Sequence, residues 1–456
     1  MYARSVVLFR RDLRLFDNTA FCTAAKNSKQ VIPLFIFDER QVGSSNAYRS
    51  QRAVQFMVES LEDLEAQLSA KGGCLHALKG SPATVLSKVI EALGVDAVFL
   101  NEDVTPFSRS RDEKLRGVCE EAGAHFVSCH DLFLTRPGSV RTQQGTPYQV
   151  FTPFMRAASE FSVARPSEPE EVEFFTGDVP GAWPAFRESL IEEELELFVH
   201  GGRARGLALL DDLSELADYV NKRNVPAVRG TSGLSAHHKF GTVSVRETYY
   251  RVRELFGVSH KLISELYWRD FYSHLVFDYP ELLTKKVAFK KKYRGVSWRE
   301  DDKQFRAWCA GLTGYPLVDA GMRELNNTGY MHNRVRMVVA SFLCKDLRLD
   351  WRLGERYFAQ QLTDYDPAVN NGSWQWAAST GCDAQPYFRI FNPVSQQKKY
   401  DPEAVYIKRW VAELRGLSAK QIHKLVDTSS SLVDYPAPIV DHAQARAETL
   451  AWFKEL

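Results

Sequence analysis

Nothing in the 456 residues approaches the run of about eighteen apolar positions that a membrane-spanning helix needs. The opening stretch, MYARSVVLFRRDLR, is apolar only briefly before charge interrupts it. It lacks the pattern of a secretory signal peptide and reads as a buried first strand. The seven cysteines (Cys22, Cys74, Cys119, Cys129, Cys309, Cys344 and Cys382) form no CxxC pair and no Cys/His cluster with zinc-ligand spacing, and their number is odd. Scattered reduced thiols in a soluble intracellular protein are the expectation, with no structural metal. GxGxxG and P-loop patterns are missing too, which leaves a dinucleotide site of the usual Rossmann kind unsupported. A net charge of +1 argues neither for nor against a nucleic-acid partner. Local runs matter more, and Lys285–Arg294, KKVAFKKKYR, is either a basic contact surface or a solvated lysine-rich loop.

The first third alternates two kinds of segment. Val6–Phe9, Val31–Phe37 and Ala97–Leu100 are short apolar runs with polar borders, as buried parallel strands are. Between them, Gln51–Ala70 sets Val54, Met57, Val58, Leu61, Leu64 and Leu68 at helical spacing before Gly72-Gly73. Ser81-Pro82 supplies an N-cap and first helical residue for the next helix, which Gly94 ends. This order predicts an α/β fold with a doubly wound parallel sheet over residues 1–132. Residues 133–200 carry Pro137, Pro166, Pro169, Pro180 and Pro184 with an acidic run at 168–173, the composition of a long connector. From 201 to 456 the chain is helix-rich and holds eight of the nine tryptophans, so a larger all-helical second domain is expected.

Four segments in that second domain carry chemical character. Arg229–Ser235, RGTSGLS, either offers N–H groups and hydroxyls to a phosphate or simply caps the helix after it. Glu265, Trp268 and Arg269 stand at i, i+3 and i+4 on one helical face. They suit an extruded base by hydrogen bonding, stacking and phosphate contact, or else form an ion pair beside a core indole. In GYMHNRVRM (Gly329–Met337), Asn333 and Met337 share a face while Arg334 and Arg336 project elsewhere. An amide can read a pyrimidine carbonyl and a thioether packs softly on a flat ring. Asp364-Tyr-Asp366 precedes Asn370-Asn371-Gly-Ser-Trp374-Gln-Trp376; its carboxylates can accept from ribose hydroxyls or a flavin imide, with Arg336 balancing one. No further ligands with metal spacing follow the pair.

Read together with FRRDLRLFDN near the start, the motifs GTSGLS, ELYWRDF, TGYPLVDAGMRELNNTGYMHNR, KDLRLDWRLGERYF, NNGSWQWAASTG and YFRIFNP closely resemble the photolyase/cryptochrome family, in order, from about residue 5 to 445. The resemblance implies FAD in the helical domain, held by Tyr219, Thr231, Ser232, Leu234, Ser235, Arg336, Asp364, Asp366 and Asn370. It sets Asn370 opposite the flavin N5, where a neutral amide stabilises reduced flavin without supplying a proton. It also implies an electron relay through Trp374, Trp351 and Trp298, in order outward from the flavin. Taken singly, each of these indoles would be ordinary core.

Within the family, cyclobutane-type photolyases carry Glu, Trp, Asn, Met and Trp around the lesion, and these fall on Glu265, Trp268, Asn333, Met337 and Trp376. Members that act on (6-4) lesions have histidines in place of Asn333 and Met337; plant cryptochromes have Asp in place of Asn370. The comparison points to class I repair of cyclobutane dimers in UV-damaged DNA, probed against a cryptochrome-type blue-light sensor without repair. Arg223, Arg269, Arg334 and Arg389 are expected on DNA phosphates, and Glu265, Asn333, Met337 and Asn370 at the chemistry. For the antenna, Arg11, Asp38, Asp103 and Lys239 match relatives that bind 8-hydroxy-5-deazaflavin, with Thr105 replacing one further acid, so that pigment is expected, or else an empty or flavin-filled site. Ser108, standing where folate-binding relatives have Glu, weighs against methenyltetrahydrofolate. A monomer is expected.

Overall fold

The computed structural model describes residues 1–428 and 433–456. Five parallel strands, β1 (Tyr2–Phe9), β2 (Ser28–Phe37), β3 (His76–Lys79), β4 (Ala97–Asn101) and β5 (His125–Cys129), run in the order β3-β2-β1-β4-β5. Around them lie α1 (Thr19–Asn27), α2 (Gln51–Ser69), α3 (Pro82–Leu93) and α4 (Pro106–Glu121). The apolar runs expected to be strands are β1, β2 and β4. Their side chains alternate between two apolar layers, Val7, Phe9 and Phe35 on one face, Val6, Leu8 and Leu34 on the other. Burial on both faces is why these strands read as continuous hydrophobic runs.

Helix α2 begins at Gln51 under Ser50, whose side chain accepts from Ala53 N, and buries Val54, Val58, Leu61, Leu64 and Leu68. Pro82 opens α3 and Gly94, at φ 59°, closes it in the left-handed conformation. Ser81 occupies the N-cap without a side-chain cap bond, so its contribution there is conformational.

The connector is more structured than its prolines suggest. It forms α5 (Phe151–Ala158) and a two-residue strand, β6 (Glu173–Phe174), which extends the sheet by pairing with Gln30 and Val31 of β2. Phe174 stacks on Phe21, their rings 6.0 Å apart, and this buried aromatic anchors an otherwise polar segment.

The remainder is helical: α6 (Ser235–Phe240), α7 (Val245–Phe256), α8 (Lys261–Asp278), α9 (Pro316–Thr328), α10 (Asn333–Ser341), α11 (Trp351–Gln361), α12 (Pro367–Ala378) and α13 (His442–Glu455), with several shorter turns. Helices α8, α10 and α11 all pack on α12, so α12 is the central post of the bundle.

A buried ionic network joins the two domains. Arg14 of the sheet domain is 1% exposed and pairs with Asp131 at 2.7 Å. Arg246 of α7 pairs with both Asp131 (2.7 Å) and Asp17 (3.0 Å), and donates to the Asp17 and Asp131 main-chain oxygens as well. The two guanidinium groups hold the Asp131 carboxyl well below the usual carboxylate range despite its burial. Charges removed from water to this degree persist only because every partner is present.

Candidate active site

In an open α/β sheet, ligands lodge beyond the carboxyl ends of the strands where strand order reverses. Here that point lies between β1 and β4, and the residues following those strands, Arg11 and Asp103, meet there at 3.1 Å. They line a cavity of about 760 Å³ between the sheet domain and the helical domain. Asp38 and Lys239 line it as well, so the four residues expected at an antenna surround one space. Asp38 pairs with Arg40 and caps the turn after it. Burial, with Arg11 nearby, pushes the Lys239 ammonium down to about 7. Arg11 also pairs with Asp366 at the head of α12, so one guanidinium ties this cavity to the acid expected at the flavin. Thr105 and Ser108 are used locally: Thr105 Oγ1 accepts from Ser108 N at 3.3 Å, and Ser108 Oγ donates to Asp103 at 3.2 Å.

The second candidate site is built on α8, α10, α12 and the Arg229–Ser235 loop. Arg336 on α10 meets Asp364 through both terminal nitrogens, at 3.2 and 2.9 Å. Asp366 caps α12 by accepting from Ala368 N (2.9 Å) and Val369 N (3.1 Å), with Pro367 behind it. Both carboxylates thus face cations or amide donors, an arrangement that suits ribose and imide recognition and leaves no free pair for a metal. In the loop, Leu234 is fully buried while Thr231 and Ser232 stay half-exposed. Thr231 Oγ1 lies 3.5 Å from Tyr330 OH, and Leu234 N donates to Ser232 Oγ at 3.4 Å. Ser235 is exposed at the head of α6, Leu234 makes no side-chain cap there, and Tyr219 is buried nearby under Arg223.

Asn370 is 7% exposed and donates through Nδ2 to Glu355 of α11. Charged side chains of α8 and α10 keep contact with solvent, Arg336 at 24% and Glu265 at 29%. A closed core would bury them completely, so this is a cleft with polar walls, and its donor set fits a flavin dinucleotide.

At the mouth of the cleft Glu265 on α8 pairs with Arg223 at 2.6 Å. Arg334 on α10 donates to Asn224 Oδ1 at 2.8 Å and lies over the Tyr400 ring. Asn333 and Arg389 are exposed; Met337 and Trp376 are half-buried. Trp268 stacks on Phe151 of α5, centroids 3.7 Å apart and planes 8° apart, a partner that lies in the connector and was not foreseen.

One sequence expectation needs correction. Arg269, expected on a DNA phosphate, turns inward: it donates to the Leu132 and His238 main-chain oxygens and covers the Phe133 ring. Its position shares a helical face with Glu265, but the two main-chain acceptors and the Phe133 ring draw the guanidinium inward, away from the cleft mouth. The lysine-rich segment, open to either a contact-surface or a solvated-loop reading, is partly tied to the bundle. Lys286 reaches Glu355 and Lys290 donates to Ser379 O at 3.2 Å, because Ala288 between them is buried and pulls the segment in.

The three tryptophans expected in a relay differ in setting. Trp374 (2% exposed) packs edge-on to Phe358, centroids 4.9 Å apart, and against Trp308 at 6.1 Å. Trp351 is buried at the start of α11. Trp298 is half-buried against Trp452, 5.2 Å away, and Arg299 N donates to Arg348 O at 2.9 Å, which keeps its segment close to the start of α11.

A doubly wound sheet domain with a chromophore-sized cavity at its switch point, docked on a helical domain with a flavin-type cleft, defines a class of two-domain flavoproteins. The comparisons make the assignment specific. Residues 5–171 match the DNA photolyase family and residues 262–455 the FAD binding domain of DNA photolyase. The deoxyribodipyrimidine photo-lyase of Vibrio cholerae is 38% identical, over 98% of this chain and 99% of its own. That of Halobacterium salinarum is 37% identical, over 98% of each. A crystal structure of an archaeal photolyase from Sulfolobus tokodaii, with two FAD molecules, superposes with a TM-score of 0.90 at 42% identity, covering 99% of this chain and all of that one. The chain belongs to the DNA photolyase family, and its helical domain is the family's FAD-binding domain.

Proposed function

We propose that the chain repairs cyclobutane pyrimidine dimers in DNA under near-UV or blue light, as a class I member of its family. The observation that carries this reading is the cleft mouth, where Glu265 with Trp268 on α8, Asn333 with Met337 on α10, and Trp376 on α12 are brought together by the packing of α8 and α10 on α12. No histidine holds the places of Asn333 or Met337, so lesion chemistry that depends on a histidine pair is not supported.

FAD would be held by Tyr219, Thr231, Ser232, Leu234 and Ser235 together with Arg336, Asp364, Asp366 and Asn370. Bound and reduced, it would supply light-driven one-electron reduction of the dimer. The protein contributes position and charge. Trp268 and Trp376 flank the extruded dimer, whose poor stacking and pairing make extrusion cheaper than the few kcal/mol an intact base requires. Asn333 reads a pyrimidine carbonyl and Met337 packs on the ring face. Arg334 and Arg389 grip phosphates. Arg223 holds Glu265 through one terminal nitrogen; a DNA phosphate arriving at the cleft mouth would compete for that guanidinium and loosen its hold on Glu265, leaving the acid to bond the dimer. Trp374, Trp351 and Trp298 relay electrons inward to restore reduced cofactor; Trp374→Phe is expected to block photoreduction while sparing repair by enzyme already reduced.

For the antenna, eight Lys and Arg side chains line the interdomain cavity against four carboxylates. That excess of positive charge favours a flavin with a phosphate tail over bare 8-hydroxy-5-deazaflavin. The archaeal relative with two FAD molecules supports the same preference. Mass spectrometry of chromophores released from the purified protein separates the two.

The test of function is direct. Purified protein, reduced and illuminated, is incubated with UV-treated oligonucleotide and the remaining dimers are counted. Loss of dimers well above a dark control is expected. No loss, with flavin bound, refutes repair and leaves a light-sensing role.

A further inference from the structure

Glu355 and Asn370 lie on adjoining helices, α11 and α12, and touch. Asn370 Nδ2 donates to the Glu355 main-chain oxygen at 2.9 Å and to its Oε1 at 3.3 Å. A main-chain carbonyl can only accept, so this contact decides which end of the amide is nitrogen. Asn370 Oδ1, which makes no hydrogen bond among the described residues, is turned away from Glu355. Glu355 itself is 2% exposed, and its Oε2 has no hydrogen-bond partner. The cation within ion-pair reach is Lys286, whose Nζ lies 3.6 Å from Oε2. That is too long for a hydrogen bond, so charge holds the pair together.

Lys286 is anchored at both ends. Its main-chain oxygen accepts from Arg352 Nε at 2.7 Å, and its ammonium stands 3.6 Å from the ring centroid of Tyr48 in the sheet domain. Tyr48 in turn stacks on Tyr365, 6.3 Å away, one residue before the Asp366 cap. Lys286, Glu355, Tyr48 and Tyr365 all line the interdomain cavity. A line of contacts therefore runs from that cavity to the Asn370 amide.

We propose that Lys286 and Glu355 are a positioning pair that locks the Asn370 amide with its oxygen toward the flavin and links that amide to the interdomain cavity. This rests on the reading that Asn370 faces the flavin. With Glu355 ionised, both of its acceptors hold the amide nitrogen. A protonated Glu355 can donate to Oδ1 instead and weakens the lock. Burial raises the pKa of Glu355 and lowers that of Lys286, so each keeps the other charged. The other groups bearing on the pair are Arg352 and Arg356 on α11, and Tyr365 beside Asp366. An anionic chromophore in the cavity would compete with Glu355 for the same ammonium.

The test compares Lys286→Met, Glu355→Gln and the double variant as holoprotein, by following the flavin midpoint potential against pH. Glu355→Gln keeps the shape and removes the titration. In Lys286→Met the unpaired acid must ionise alone, so a new pH dependence of the potential is expected between about pH 6 and 9, the range of isolated buried carboxyls. The double variant should lose it. The same pair can be read without flavin. Thermal stability of Lys286→Met should fall relative to wild type as pH rises through that range, because a carboxyl with a raised folded pKa is penalised once it ionises, and the double variant should be flat. An unchanged profile for Lys286→Met, or a slope that survives in the double variant, overturns the proposal. A preparation that binds no flavin overturns the FAD reading instead, and the stability profile still judges the pair.

Discussion

Replacing Gly354 with alanine puts one carbon where no space exists. A Cβ at this position of α11 would stand 2.1 Å from Cη2 and 2.5 Å from Cζ3 of Trp374, and 2.7 Å from Leu343 Cδ2. The indole cannot swing aside freely, because Phe358 and Trp308 confine it. Overpacking of this kind costs about 1–3 kcal/mol, and contact with a confined ring belongs at the upper end. Alanine recovers about 1 kcal/mol of helix propensity, leaving a net loss of about 2 kcal/mol. For a domain of this size that is about 4–8 °C in Tm. Gly117, in the middle of α4, provides the control: its Cβ would meet nothing within 4 Å, so Gly117→Ala should gain about 1 kcal/mol from propensity alone. The same substitution is thus expected to move Tm in opposite directions at the two sites. Differential scanning fluorimetry reads the stability, and the rate of flavin photoreduction reads displacement of Trp374, with Trp374→Phe as the limit of that loss. Equal Tm shifts for the two variants, or a Gly354→Ala protein with unaltered photoreduction, would refute the argument that this glycine seats the ring.

Arg246→Ala should destabilise by about 3–5 kcal/mol in urea unfolding, since it strands the Asp17 and Asp131 carboxylates in the core; a loss below 1 kcal/mol would mean water reaches them. Asp270 is fully buried, with Oδ1 unpartnered, and burial pushes its carboxyl up to about 6. A raised folded pKa makes the native state bind the extra proton between about pH 4 and 6, so stability falls as pH rises through that window. Asp270→Asn lacks this slope, and its Tm relative to wild type should improve from pH 4 to pH 7; a constant difference rules the titration out. Arg389→Ala should weaken DNA binding uniformly across sequences and lower the slope of log affinity against log salt by about one, whereas Arg269→Ala, being turned inward, should leave that slope unchanged; fluorescence anisotropy at several salt concentrations distinguishes them.

Much of this architecture was legible in the chain, for identifiable reasons. An apolar run with polar borders such as Val31–Phe37, or an amphipathic segment between a proline and a glycine such as Pro82–Leu93, can be little else once both faces of a strand or one face of a helix must be buried. The short strands were harder. HALK and HFVSC are brief and half polar, and become strands only through their pairing with β2 and β4. Phe174 shows the same limit, since a two-residue strand inside an acidic, proline-rich connector carries no periodicity. Buried ionic residues were the least legible. Arg14, Asp131, Arg246 and Glu355 resemble surface charge in sequence and are among the most buried side chains present, because what matters is a partner far along the chain. Lys286 was counted in a basic loop for that reason. At the cleft, residue types alone left Glu265, Trp268 and Asn333 ambiguous between chemistry and packing. The long ordered resemblance supplied the expected roles, while Phe151 over Trp268 and Glu355 behind Asn370 required coordinates.

The network of Arg14, Asp17, Asp131 and Arg246 has an optical consequence. Resonance transfer between two pigments falls with the sixth power of their separation and depends on the angle between their transition dipoles. A hinge between the domains would let both quantities wander. Four interlocked charges that cannot be separated without stranding one in the core remove that freedom. Any pigment seated at the strand ends and any flavin in the helical cleft would keep a constant distance and a constant mutual angle, as components do when bolted to one bench.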